Sequence, residues 1–314
     1  MQKDSKIYVS GGRTLIGAAI IRVLKRKGYQ HVIGLPEEEF NLTDAVQVDN
    51  FFSKTQPEYV FIAAGKSGGI QANLKFPAEL MLDNLLVECN VISSAFRHRV
   101  KKLLYLASSC IYPRNSPQPI KEENLLTGPL EPTNEAYAIA KIAGAKLCQA
   151  YRQQYGVNFI VGIPANAFGP SDDFSIENSH VIPALICKIH EAKTHNAHYV
   201  EIWGTGTPRR EFIYADDLAN ACIFAMLNYD GPEPINLGGG TEISIGNLAL
   251  IIKDVIGFPG ELKYDTSRPD GMPIKALDSS KLAKMGWKAT TSLQTALLET
   301  YKEFLQIQKS INVR

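Results

Sequence analysis

A doubly wound α/β fold, a parallel sheet with helices on both faces, is what this sequence predicts on three observations. Short apolar runs recur without polar alternation, as in strands buried on both faces. Segments of helical periodicity separate them. The first run ends in a glycine-rich turn that opens a helix, the entry to such a sheet. Lys6–Ser10 (KIYVS) is the first strand, and Leu15–Lys27 the first helix, closed by Gly28. His31–Leu35 (HVIGL) is the second strand, and Asp44–Lys54 a second helix opened by Thr43. Tyr59–Ala64 (YVFIAA) and Lys102–Ala107 (KLLYLA) are further buried strands, with Phe76–Arg99 helical between them. A helix from Asn134 to Tyr155 leads into a strand at Asn158–Ile163. Right-handed crossovers then make the sheet doubly wound.

The pattern changes after about residue 165. A long loop covers Phe168–Ser179, prolines recur, and short strands fall at Val200–Trp203 and Pro234–Leu237. Helices at Val181–Ala192, Asp216–Leu227 and Thr291–Gln306 lie between or after them. The expected division is a sheet lobe over residues 1–165 and a smaller mixed lobe over 166–314. With no repeat or linker, some segments of the second lobe are expected to return to the sheet.

Composition narrows the function classes. Of 314 residues 45% are hydrophobic and 21% charged, enough for a full core and too apolar for wholesale disorder. The 33 basic and 32 acidic side chains leave a net charge of +1. That gives no footprint for non-specific nucleic-acid or membrane binding, though a local anion pocket stays open. The apolar run in MQKDSKIYVSGG is too short for a signal peptide, and no stretch reaches transmembrane length. Five cysteines without CxxC spacing are neither a disulfide framework nor a zinc site. His190, His195 and His198 lack metal spacing. A soluble cytoplasmic protein without metal, nucleic-acid or membrane partners is the expectation.

The first strand-to-helix turn reads Gly11-Gly12-Arg13-Thr14-Leu15-Ile16-Gly17. Backbone N–H groups at such a helix start suit a dinucleotide pyrophosphate, with Thr14 where a middle glycine is usual. That Thr is expected to crowd the backbone's approach to the pyrophosphate. At the end of the second strand Glu37, Glu38 and Glu39 favour the 2′-hydroxyl of NAD(H), whereas Arg13 could meet the 2′-phosphate of NADP(H). Both cofactors stay open on these residues.

Tyr137 and Lys141 stand at i and i+4 near the start of a helix, on one face. A phenol is a poor proton shuttle at neutral pH, and a neighbouring ammonium favours its ionised form. The strand ending Leu106-Ala107-Ser108 adds a hydroxyl at the carboxyl edge of the sheet, where ligands of open α/β folds bind. Ser108 and Tyr137 can thus bond one carbonyl oxygen while hydride reaches its carbon, and Lys141 can reach the nicotinamide ribose. This is the pattern of the extended short-chain dehydrogenase/reductases.

The strings KLLYLASSCIYP, EPTNEAYAIAKIAGAKLC, NSHVIPAL, WGTGTPRREFIYADDLA and RPDGMP closely resemble the GDP-L-fucose synthase family. The resemblance covers nearly the whole chain, from the glycine turn to the terminal helix. It implies a cytoplasmic, NADP(H)-dependent homodimer. It also implies 3,5-epimerisation of GDP-4-keto-6-deoxy-D-mannose, then 4-reduction to GDP-L-fucose. By the same resemblance Ser108, Tyr137 and Lys141 match the reductase triad, Cys110 the epimerisation base and His180 the epimerisation acid. Thiolate and imidazole suit those roles, because both titrate near neutrality. Gly11, Arg13, Thr14, Leu15, Gly17, Ala63, Ala64, Lys141 and Pro164 are the implied cofactor contacts. Ser109, Asn166, His180, Lys188, Trp203, Arg210 and Asp270 are the implied substrate contacts. The chain departs from the family at Thr14, and at Glu37 and its neighbours, where the family carries an arginine. Two rivals stand beside this reading: a sister enzyme for another GDP-4-keto sugar (a 6-deoxyheptose or dideoxy sugar), and a non-catalytic binding protein that keeps the fold.

Overall fold

The computed structural model describes residues 1–34, 41–175, 179–268, 270 and 272–312. Its first half comprises β1 (Lys6–Ser10), α1 (Leu15–Arg26), β2 (His31–Ile33), α2 (Ala45–Thr55), β3 (Tyr59–Ile62), α3 (Ile70–Lys75), α4 (Pro77–Arg97), β4 (Lys102–Leu106), α5 (Glu135–Tyr155) and β5 (Phe159–Pro164). Then follow β6 (Asn166–Phe168), α6 (Val181–Thr194), β7 (Tyr199–Trp203), β8 (Arg209–Tyr214), α7 (Ala215–Asn228) and β9 (Ile235–Leu237). The chain ends with β10 (Thr241–Ser244), α8 (Ile245–Ile256), β11 (Glu261–Asp265), β12 (Ile274–Lys275), α9 (Ser280–Lys284) and α10 (Leu293–Asn312).

Six parallel strands form the main sheet in the order β2-β1-β3-β4-β5-β9. The reversal beside β1 is the switch point of a doubly wound fold, and it opens a crevice at the strands' carboxyl ends. β4 and β5 are buried along their full length, which explains their unalternating apolar sequence. β10, β8 and β12 form a second, mixed sheet with β6 beside β8, and β7 pairs β11. One apolar core lies around the main sheet; the other gathers α6, α8, α10 and the strands next to them.

Two features tie the later segments to the sheet. β9 extends it, and α7 packs on α1, where Arg22 Nε (3.0 Å) and Arg26 (2.9 Å) both donate to the Asp216 carboxylate. Asp217 beside it accepts the Thr291 N–H at 2.9 Å and so holds the approach to α10.

Several local expectations are corrected. α2 is capped by Asp44, whose carboxylate accepts from Val46 and Gln47, rather than opened by Thr43. A short helix, α3, precedes α4 with Phe76 alone between them, and α4 itself runs from Pro77 to Arg97. The second strand is described only to Ile33, and Leu35, Glu37, Glu38 and Glu39 lie outside the described residues. Strands β6, β8, β10, β11 and β12 and helices α3, α8 and α9 lie outside the elements expected from sequence.

Candidate active site

A cleft of about 710 Å³ opens where β1, β3, β4 and β5 end. Its first wall is the turn between β1 and α1. Gly11 has φ +72, and a Cβ there would stand 2.7 Å from the Ala64 backbone. At Gly17 a Cβ would collide with the Gly11 carbonyl oxygen. Both ends of the turn therefore require glycine, while the middle does not. Thr14 is extended (φ −71), and its hydroxyl accepts from Gly17 N at 3.1 Å and donates to Gly11 O at 2.8 Å. The Thr14 hydroxyl folds back into the turn and caps α1. N–H groups in the first turn of a helix lack intrahelical carbonyls, and here that turn borders the cleft, with Arg13, Thr14, Leu15, Ala63 and Ala64 on its wall. These residues fit a dinucleotide pyrophosphate.

The opposite wall carries the reactive groups. Ser108 caps the short turn after β4, its Oγ accepting from Cys110 N at 3.2 Å, and its hydroxyl also bonds the Tyr137 phenol. Tyr137 is held well above the ordinary phenol range, first by burial and then by the Cys110 thiol and Glu88, while Ser108 pulls it the other way. Lys141 is only 4% exposed, and its ammonium lies 2.9 Å from the Glu88 carboxylate. Burial is the first cause of the rise at Tyr137, and the Lys141 ammonium one turn on is paired with Glu88. A phenol in this state is suited to giving a proton.

Cys110 faces a cation that sequence reasoning missed. Lys275 Nζ, from β12, is 3.5 Å from Cys110 Sγ. His180 stands immediately before α6 on the same cleft, and burial lowers its pKa below the usual imidazole value; Asp173 opposes this and Lys275 adds to it. Asp172, also on the wall, has its carboxyl pushed up to about 7 by burial, and its Oδ2 is buried without a hydrogen-bond partner.

Of the anticipated residues, Arg13, Thr14, Leu15, Ala63, Ala64, Ser108, Ser109, Cys110, Tyr137, Lys141, Pro164, Asn166, His180 and Arg210 share this cleft. Gly11 and Gly17 shape the turn beneath its wall. Asn166 spends its amide N–H on Glu211 O at 2.9 Å, and Arg210 donates to Met272 O at 2.6 Å. Lys188, Trp203 and Asp270 lie off the cleft wall. Trp203 is 57% exposed, with Lys188 Nζ 4.6 Å and the Arg268 guanidinium 5.1 Å from its ring centre. Asp270 accepts from Thr205 N at 2.9 Å and Thr205 Oγ1 at 2.6 Å.

Signals for the missed residues existed. Leu80, Asn84, Glu88 and Val91 form one buried stripe of α4, so two polar residues interrupt an apolar face. Lys275 lies two residues beyond the RPDGMP string. Among the described residues no cluster could hold a metal ion, and no helix is long and apolar enough to cross a membrane.

Comparison with known proteins agrees with this geometry. Residues 7–238 match the NAD dependent epimerase/dehydratase family. GDP-L-fucose synthase 1 of Arabidopsis thaliana is 51% identical over 97% of this chain and 94% of its own length. A GDP-L-fucose synthetase from Naegleria fowleri, solved bound to NADP, superposes with a TM-score of 0.91 at 31% identity, covering 99% of this chain and 97% of that one. A GDP-6-OMe-4-keto-L-xylo-heptose reductase from C. jejuni superposes equally well, with a TM-score of 0.91 at 36% identity, over 98% of this chain and 99% of that one. The chain belongs to the NAD dependent epimerase/dehydratase family and, within it, to the GDP-L-fucose synthase branch.

Proposed function

We propose that this protein converts GDP-4-keto-6-deoxy-D-mannose to GDP-L-fucose by epimerising C3 and C5 and then reducing the C4 ketone with NADPH. The observation that carries the reading is one cleft holding Ser108, Tyr137 and Lys141 together with Cys110 and His180. C3 and C5 flank the ketone, so their protons are acidified once the C4 oxygen is held by Ser108 and Tyr137. Cys110, as thiolate beside Lys275, removes a proton from one face, and the electron pair moves into the C4 oxygen. His180 returns a proton to the other face. Burial makes the His180 imidazolium a stronger acid, which suits this return.

When bound, the reduced nicotinamide supplies a hydride to C4. Tyr137 gives its proton to the C4 oxygen as the carbonyl becomes an alcohol, and the resulting phenolate recovers a proton from solvent. Ser108 holds the oxygen, and Lys141 holds the nicotinamide ribose. Gly11, Thr14, Leu15 and Gly17 form the pyrophosphate turn, with Ala63, Ala64 and Pro164 beside it, and Arg13 meets the 2′-phosphate. Residues 1–165 mainly hold the cofactor and 166–314 mainly the sugar nucleotide. There Arg210 and Lys188 face the diphosphate, Trp203 stacks on a ring, and Ser109, Asn166 and Asp270 complete the contacts.

We also propose a cytoplasmic homodimer. Leu82 and Leu86 of α4 and Ile139 of α5 expose apolar surface on two adjacent helices, and all five cysteines are free thiols, as suits a reducing compartment. A second reading, a sister enzyme for a GDP-4-keto-heptose, is favoured by the likeness to the C. jejuni reductase. One experiment separates the readings: turnover of GDP-4-keto-6-deoxymannose in heavy water, with NADPH and NADH side by side. GDP-fucose carrying deuterium at C3 and C5 supports the first reading. Reduction without deuterium removes Cys110 and His180 from the mechanism, and no turnover with either nucleotide moves the search to other keto sugars.

A further inference from the structure

One stretch of the cleft wall, residues 169–174, supplies no contact to the reaction as outlined. Ser171, Asp172 and Asp173 face the cleft, and the two aspartates are the carboxylates of its wall among the described residues. Asp172 N–H donates to Gly169 O at 3.2 Å, and Asp172 Oδ1 accepts from Asp173 N at 2.9 Å. Asp172 Oδ2 is buried and has no hydrogen-bond partner among the described residues. The turn before it is strained: Ser171 has φ +73, in the left-handed region that side chains disfavour. The terminal helix holds that strain from behind, where Glu303 of α10 accepts the Ser171 N–H at 3.1 Å across 132 residues of chain. Phe174 closes the stretch, its ring 5.1 Å from that of Phe304 and its carbonyl accepting the Cys187 thiol of α6 at 3.2 Å. Packing on α6 and α10 therefore sets the shape of this wall.

Carboxylates that serve as scaffolding in this chain have both oxygens satisfied by protein groups. Asp216 takes Arg22 on one and Arg26 on the other, and Asp217 takes Thr290 and Thr291. Glu211 takes Gly239 and Gly240 on one oxygen and Leu277 on the other. Asp172 differs, and a buried acceptor left without a donor costs free energy until one meets it. Burial has pushed its carboxyl up to about 7. The last torsion of an aspartate is broad, so either oxygen can turn to a donor at the wall. Ser108, Tyr137 and Arg210 bring donors to the cleft, which suit a ketone and a phosphate. The hydroxyls of a pyranose are donors themselves and call for an acceptor.

We propose that Asp172 accepts a hydrogen bond from a hydroxyl of the hexose ring, and that Glu303, acting through Ser171, is the positioning residue that presents it. The inference rests on the reading of this cleft as a GDP-hexose site. It adds a contact that reads the sugar and leaves the nucleotide untouched.

The test is the binding of GDP-L-fucose and of GDP alone, by titration calorimetry on the full chain at pH 8. No nicotinamide nucleotide is added, so no turnover intervenes. GDP lacks the hexose and therefore separates damage to the wall from loss of the sugar contact. Asp172→Asn keeps the shape and removes the charge. Its affinity for GDP-L-fucose should fall about tenfold or more, with GDP within about twofold of the parent protein. Glu303→Ala should weaken GDP-L-fucose in the same selective way by less. Glu303→Gln keeps a carbonyl for the Ser171 N–H and should bind as the parent does. Glu303→Asp draws the acceptor back by one methylene and serves if Glu303→Ala does not fold. Unchanged affinity for GDP-L-fucose in Asp172→Asn overturns the proposal. So does an equal loss for GDP and GDP-L-fucose, which marks a purely structural loop, and so do Glu303→Ala and Glu303→Asp forms that bind like the parent. A parent protein that binds GDP but not GDP-L-fucose overturns the proposed function and this inference with it, whereas the other outcomes overturn the inference alone.

Discussion

Removing the charge of Lys275 should slow epimerisation. The ammonium lies 3.5 Å from Cys110 Sγ. At about 4 Å, opposite unit charges attract by about 1 kcal/mol in water and about 4 kcal/mol at the effective dielectric near a protein surface. At about 1.4 kcal/mol per tenfold, losing that attraction in Lys275→Met should slow proton removal between about fivefold and about a thousandfold. The same ammonium is also one cause of the lowered His180 pKa, where it ranks behind burial and Asp173. The assay is deuterium incorporation at C3 and C5 from heavy water, followed by NMR across a pH series, with Lys275→Arg as the charge-retaining control. Exchange at neutral pH should fall at least about fivefold in Lys275→Met and be largely retained in Lys275→Arg. If Lys275→Met exchanges as fast as the parent protein at neutral pH, the reasoning fails, and Cys110 is not a base activated by that ammonium.

Tyr137→Phe removes the proton donor and should lower kcat for reduction about 10²- to 10⁴-fold, measured by NADPH consumption at saturating substrate. Undiminished reduction would end the assignment. Asp172→Asn should raise Tm at pH 8 and do much less at pH 5. A carboxyl raised in the fold to about 7 is destabilising once pH exceeds its unfolded value, fully so above 7, by up to about 4 kcal/mol. Calorimetry at the two pH values checks the sign. Gly144→Ala drives a methyl against Glu88 and Tyr105 and should cost about 1–3 kcal/mol in urea unfolding. Leu86→Glu should convert a dimer to monomer in sedimentation without changing the far-ultraviolet spectrum, and a parent protein that sediments as a monomer would remove the dimer from the reading.

The main sheet was legible because its strands are buried on both faces, and unbroken apolar runs such as Lys102–Leu106 leave few alternatives. The second sheet was not. Thr241–Ser244 and Glu261–Asp265 are short strands with exposed polar side chains, set by pairing with β8 and β7 rather than by their own composition. The motif strings also mixed two kinds of residue that sequence cannot separate. In WGTGTPRREFIYADDLA, Arg210 reaches the cleft, but Glu211, Asp216 and Asp217 are scaffolding. Glu211 accepts from Gly239, Gly240 and Leu277, while the two aspartates tie α7 to α1 and to the approach to α10.

The reactive pairings were the least legible part, for a physical reason. Tyr137 and Lys141 are one helical turn apart, so periodicity finds them, and Ser108 marks a strand end. Glu88 and Lys275 reach the same groups from 53 and 134 residues away from Lys141 along the chain, and only the packing of α4 on α5 and of β12 on β8 brings them in. Both set a charge beside a residue of the candidate site. Read without them, Lys141 is an isolated cation and Cys110 a lone thiol. With them, Lys141 is paired with a buried carboxylate 2.9 Å away and Cys110 has an ammonium 3.5 Å away. The local motif names the reactive side chains, and the tertiary packing supplies the charges beside them.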